Sequence, residues 1–176
     1  MFQQNLFRYG VLALLFIIIL FAMLNKESSL NTYQQSMADR FIGKKLDFSN
    51  IVDVENKKFS PQLPAMIHVF TNYCKYCKND LALFRRLEDR SNYRIYGLIW
   101  SDQLSDAKVF TANYPHDYDE ILFSTAPNIF IELGVKGIPI TIVVGVDGEI
   151  LYYKAHSLNF AEIQSNILPK LSMKTN

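Results

Sequence analysis

Cys74 and Cys77, the only two cysteines in 176 residues, are the side chains whose type and spacing carry chemistry by themselves. One helical turn would put both sulfurs on one face within bonding distance, so a disulfide can form and open with little backbone movement. Cys74 falls where a strand pattern hands over to a helical one. At a helix N-terminus, unpaired N–H groups and the macrodipole favour a thiolate over a thiol, which makes Cys74 the attacking sulfur. Lys75 and Lys78 add positive potential that salt will screen. Cys77, deeper in the first turn, is then the resolving thiol. The competing readings are half of a zinc site and a static disulfide. Zinc needs four ligands, and His68, His116 and His156 are scattered with no H-x(3–5)-H spacing. A bridge closing so short a loop adds little chain-entropy stabilisation. Dithiol exchange is the chemistry this spacing supports best, with no metal or cofactor expected. His68 reads as a strand residue with a hydrogen-bonded ring, and His116 and His156 as surface positions.

The elements that must position the pair are legible around it. Ala65 to Phe70 (AMIHVF), bounded by Pro64 and Thr71-Asn72, reads as a buried strand. Leu81, Phe84 and Leu87 recur at helical spacing, so a helix starts near the cysteines and ends by about Arg90. Arg94 to Trp100 is a second strand, and Ser101-Asp102 begins a turn that caps a helix over Ala107 to Tyr114. Ile121 to Phe123 is a short strand, Pro127 to Leu133 a short helix ended by Gly134, and Ile140 to Val146 a β-branched strand. Asp147-Gly148 is a hairpin signal with Glu149 to Lys154 as the returning strand. The last helix starts at about Asn159, with Glu162 completing a capping box and Leu158 stapled to Ile163. Alternation followed by a hairpin means an α/β fold with a mixed sheet flanked by helices.

At the front, Tyr9 to Asn25 runs without a charge and reads as a transmembrane anchor, extended by Leu6 and Phe7 if Arg8 snorkels to the headgroups. A cleaved signal peptide competes, but Ala22, Met23 and Leu24 lack the small-x-small pattern. Residues 1–8 form a short basic leader that stays cytoplasmic and sends the rest of the chain across the membrane. Residues 26–44, polar and of mixed sign, read as a tether, and 45–176 as the folded domain. A net charge of +1 leaves no basic field for phosphate backbones, so nucleic acid is not an expected partner.

Pro64 to Glu88 (PAMIHVFTNYCKYCKNDLALFRRLE), Tyr96 to Asp102 (YGLIWSD) and Leu133 to Gly148 (LGVKGIPITIVVGVDG) resemble the thioredoxin-like proteins of cytochrome c maturation known as DsbE or CcmG, with TlpA and ResA as relatives. The resemblance implies a thioredoxin-like domain in which Ile138 and Pro139 are joined by a cis bond facing the cysteines. Such a bond leaves the backbone of Ile138 free to pair with an extended substrate. Taken alone, Pro139 also fits a proline at the start of a strand. The family places an acid three residues after the second cysteine, here Asp80, which can take the proton from Cys77; an aspartate placed by the helix dipole is the alternative. Tyr73 stands where the family has Trp and keeps an aromatic platform for substrate, Lys75 replaces the usual Pro, and Ile140 stands where many members have Glu. By this resemblance the chain is a protein-disulfide reductase in the bacterial inner membrane. It has a single span and a periplasmic catalytic domain. Its substrate is the oxidised haem site of apocytochrome c, and its electron donor is a membrane protein of DsbD or CcdA type. The rivals are a general extracytoplasmic oxidant of DsbA type and a tethered chaperone or metal carrier using the two thiols as ligands.

Overall fold

The computed structural model describes residues 2–87, 90–101 and 103–172, with side chains left out at 2–11, 27–31, 33 and 34. Two compact units are present, Met1–Ser36 and Met37–Asn176. In the first, helix α1 (Phe2–Phe41, which runs on into the second unit) exposes Leu12, Leu14 to Leu20, Phe21, Met23 and Leu24. Among the described residues, no helix is long and apolar enough to cross a membrane. The leader side chains of Leu6, Phe7 and Arg8 lie outside the described set. The segment read as a tether is helical as far as Phe41, because no glycine or proline interrupts residues 26–41. Gly43, at φ +82°, follows the helix end. The second compact unit begins at Met37: Met37 and Phe41 are buried, and Phe41 stacks on Tyr153 at 4.7 Å.

The second unit is built on a six-stranded sheet. Its strands are β1 (Ile51–Asp53), β2 (Ala65–Phe70), β3 (Arg94–Ile99), β4 (Glu120–Ser124), β5 (Ile140–Val144) and β6 (Ile150–Ala155), in the spatial order β1-β4-β3-β2-β5-β6. β2, β3 and β4 run parallel, while β1, β5 and β6 are antiparallel to their neighbours. The parallel strands are joined by α2 (Lys75–Phe84) and α3 (Leu104–Asn113), as parallel neighbours require. The sheet is mixed and flanked by helices, as the alternation of patterns implies.

Every residue of β2 is buried, and its alternating side chains divide the core in two. Met66, His68 and Phe70 share one face with their partners Ile95, Gly97 and Ile99 on β3 and with Thr141 and Val143 on β5. That face packs on Cys77, Phe84, Phe110, Ile163 and Ile167. On the opposite side Ile67, Leu98 and Leu122 meet Ile129 and Leu133 from the region of α4 (Asn128–Glu132).

Several elements differ from expectation at their ends. α2 stops at Phe84 rather than Arg90, since Arg86 and Leu87 donate to residues three back and tighten the chain into a turn. α3 begins at Leu104, and its N-cap Gln103 makes no side-chain capping bond. The last helix has Asn159 as its N-cap, with Glu162 N–H donating to Asn159 Oδ1 at 2.9 Å, but the Glu162 carboxylate accepts from Tyr152 and Lys154 rather than completing the expected capping box. It then runs as α5 (Phe160–Glu162), a π-helical turn (Ile163–Ile167) and α6 (Leu168–Leu171). Pro169 lacks the N–H for a continuous ladder and crowds the carbonyl four residues back, which the wider turn relieves.

Gly97 is the tightest point of the sheet. A Cβ there would lie 2.7 Å from Tyr118 Cδ2 and 2.9 Å from Phe70 Cε1. Gly97→Ala is therefore expected to destabilise the domain by about 1–3 kcal/mol through overpacking, measurable as a lower urea midpoint at unchanged slope.

Candidate active site

β2 ends at Phe70, and four residues later Cys74 occupies the N-cap of α2. Cys74 and Cys77 form a disulfide, with S–S 2.06 Å and Cα–Cα 5.3 Å. Cys77 N–H donates to Cys74 Sγ at 3.0 Å, so the first sulfur takes the place of a capping oxygen. A thiolate formed at Cys74 would keep that donor and the positive end of the helix. The two sulfurs are unequal in access: Cys74 is 9% exposed and Cys77 2%. Around them Tyr73 is 94% exposed and Tyr76 64%, with Lys75 and Lys78 also at the surface.

The sheet register brings the second expected block to the same end. Val69 pairs with Ile140, so the residues just before β5 lie beside those just after β2. Ile138 and Pro139 are joined by a cis peptide bond, Pro139 is buried, and Ile138 packs partly buried against the cluster that holds both cysteines. The Pro139 carbonyl accepts from His156 N–H at 2.9 Å. A second cis bond, Leu63–Pro64, lies ahead of β2 and was not anticipated.

Asp80, one helical turn beyond Cys77 and on the same face of α2, is fully buried. Its Oδ1 accepts from Leu158 N–H at 3.0 Å, and its Oδ2 lies 3.2 Å from His68 Nε2. His68 is itself fully buried, with Nδ1 2.5 Å from the Tyr118 hydroxyl. Burial first, and the Asp80 charge second, raise the Tyr118 pKa well above its ordinary value of 10.0, so the phenol stays protonated. The ring hydrogen bonds expected for His68 are present, and one of their two partners is the candidate acid itself. His68 and Tyr118 are the functional candidates that sequence reasoning missed. A histidine at the centre of an all-apolar strand was the signal available for one of them, whereas nothing local marks Tyr118. His116, expected at the surface, is half-buried and stacks near Phe110 and Tyr118, while His156 is exposed. Among the described residues, no group of three His, Cys, Asp or Glu side chains is placed to hold a metal ion.

A six-stranded mixed sheet carrying a C-x-x-C disulfide at the head of its first crossover helix defines the class by its fold, a thioredoxin-like domain. The chain resembles DsbE-type interchange proteins. It is 24% identical over 131 residues to the thiol:disulfide interchange protein DsbE of Haemophilus influenzae, a match covering 71% of this chain and 72% of that protein. It is likewise 24% identical over 106 residues to the thiol:disulfide interchange protein CycY of Rhizobium leguminosarum bv. viciae, covering 60% of this chain and 57% of the relative's length. No protein-family model matches. Among solved structures, a thiol-disulfide isomerase from Corynebacterium glutamicum superposes with a TM-score of 0.61 at 16% identity, over 75% of this chain and 98% of that one.

Asp80→Ala would strand the Leu158 N–H and the His68 ring without their acceptor in a dry core. A loss of about 2–4 kcal/mol is expected, read as a lower denaturant midpoint.

Proposed function

We propose that this chain is a membrane-anchored protein-disulfide reductase that works outside the cytoplasm. The observation that carries the reading is the asymmetry of the pair: Cys74 caps the helix and keeps 9% exposure, Cys77 a turn behind it keeps 2%, and Asp80 lies one turn further on. In the reduced protein, the Cys74 thiolate attacks one sulfur of a client disulfide, and the other client sulfur leaves as a thiolate. Asp80 accepts the proton of the Cys77 thiol, and the resulting thiolate attacks Cys74 Sγ. That closes the Cys74–Cys77 bond and releases the second client sulfur. Two electrons pass from the protein to the client. Tyr73 supplies an exposed aromatic platform, and the turn at Ile138 and Pro139 presents the backbone of Ile138 to an extended client segment.

The resemblance of Pro64 to Glu88 and Leu133 to Gly148 to the cytochrome c maturation proteins makes the oxidised C-x-x-C-H haem site of apocytochrome c the client of this reading. A membrane electron carrier of DsbD or CcdA type is then the reductant that resets Cys74–Cys77. Anchoring by residues 9–25, with the domain on the periplasmic side of a bacterial inner membrane, is supported by the uncharged run and by the exposed apolar side chains from Leu12 to Leu24.

Cys74→Ser is expected to abolish turnover of a C-x-x-C-H disulfide peptide. Cys77→Ser should instead accumulate a mixed disulfide visible on non-reducing gels; absence of any trapped peptide would refute the assignment. Equilibration with glutathione should give a reduction potential near or below about −270 mV, whereas a value near −120 mV would identify an oxidant.

A further inference from the structure

A file of buried polar side chains runs inward from the dithiol, and three separate elements supply it. Asp80 comes from α2, His68 from the centre of β2, and Tyr118 from the segment ahead of β4; the first two are fully buried and Tyr118 is 6% exposed. Tyr118 reaches His68 because the residue beside His68 on β3 is Gly97, whose missing side chain leaves the space that the phenol ring occupies. From β5 the residue facing His68 is Thr141, whose buried Oγ1 has no hydrogen-bond partner among the described residues. A polar file costs stability in a core that aliphatic side chains would fill better.

The hydrogen positions are set by the partners. With Asp80 ionised, its two oxygens accept from Leu158 N–H and His68 Nε2–H. His68 Nδ1 then carries a lone pair and accepts from the Tyr118 hydroxyl. The file thus holds one negative charge and has room for one proton. We propose that His68 is a positioning residue for the resolving thiol: braced by Tyr118, it fixes the Asp80 carboxylate on the face of α2 shared with Cys77 and shares the proton that Cys77 releases. This rests on the reading of Asp80 as the acceptor of that proton. The step balances. Cys77 S–H breaks and its proton passes to the Asp80–His68 pair, while the sulfur's electron pair forms the bond to Cys74 Sγ. The Cys74–client bond breaks, and its electrons leave on the client sulfur.

The ionisable groups around the ring are Asp80 and Tyr118, with His116 5.8 Å beyond the Tyr118 ring. Phe84 of α2, Gly97 of β3, Thr141 of β5, and Ile163 and Ile167 of the π-helical turn bring no charge to this face.

The test is single-turnover oxidation of the reduced full-length chain, in detergent, by glutathione disulfide between pH 5 and 9. It separates formation of the mixed disulfide from its resolution. His68→Asn keeps a donor and an acceptor but cannot hold a proton. It should slow resolution about tenfold or more at pH 7 and displace its pH profile, leaving the Cys74 attack rate unchanged. Asp80→Asn should slow resolution further, and adding His68→Asn to it should change nothing more. A His68→Asn profile superimposable on wild type, with Asp80→Asn slow, overturns the role of His68 alone. If Asp80→Asn also superimposes, the Asp80 reading falls with it. Should His68→Asn fail to fold, Tyr118→Phe decides: a displaced resolution profile supports the file, and an unchanged one overturns it.

Discussion

β2 is buried along its whole length between a parallel and an antiparallel neighbour, and the rest of the domain is arranged around that constraint. A strand covered on both faces must find apolar partners above and below, which fixes its register against β3 and β5. That register places the start of β5 beside the end of β2, so the Ile138–Pro139 turn and the cysteine turn emerge together. The carboxyl edge of the parallel strands is also where the backbone turns from strand to helix and leaves amide donors unpaired. Cys74 fills that position as the N-cap of α2. One packing requirement thus sets both the place of the dithiol and the electrostatic advantage of its first sulfur.

Against this apolar background, His68 is the exception in β2. A polar ring in the middle of a covered strand needs partners for both nitrogens, and these come from elements far apart in the chain: Asp80 of α2 and Tyr118 ahead of β4. Asp80 in turn needs a second donor, supplied by Leu158 N–H in the segment after β6. The same bonds that satisfy the polar atoms tie α2 to the sheet and to the C-terminal region. Residues elsewhere in the core, such as Gly97, are constrained by the same contacts.

The limits of legibility in the sequence have the same physical origin. Ala65–Phe70, the dithiol at the head of α2 and the Ile140 strand were readable because each is a local pattern: an apolar run, a spacing and a β-branched run. Asp80 was found through a resemblance in spacing. β1 escaped because three residues, Ile51–Asp53, carry too little periodicity and exist as a strand only through pairing with β4. The helical extension to Phe41 was obscured because its polar composition gives no apolar stripe. Met37 and Phe41 find their partners near Gly134 and on Tyr153, about a hundred residues away. Tyr118 was out of reach for the same reason: its role depends on a hydrogen bond across fifty residues of sequence and on an absent side chain at Gly97.

The loop after β6 ties the two sides of the site into one unit. His156 N–H holds the carbonyl of Pro139, and two residues later Leu158 N–H holds Asp80. Three residues of backbone therefore join the wall that would meet a client to the carboxylate that would take a proton. His156 lies at φ +145°, a conformation that side chains with a Cβ adopt only when their surroundings impose it. The surroundings here are the two hydrogen bonds, since relaxing His156 would turn one N–H or the other away from its acceptor. Displacement of the Ile138–Pro139 turn by an incoming segment would thus act through this short span on the hydrogen bond to Asp80 Oδ1. Asp80 and the Ile138–Pro139 turn are thus held by one short piece of chain rather than by two independent supports.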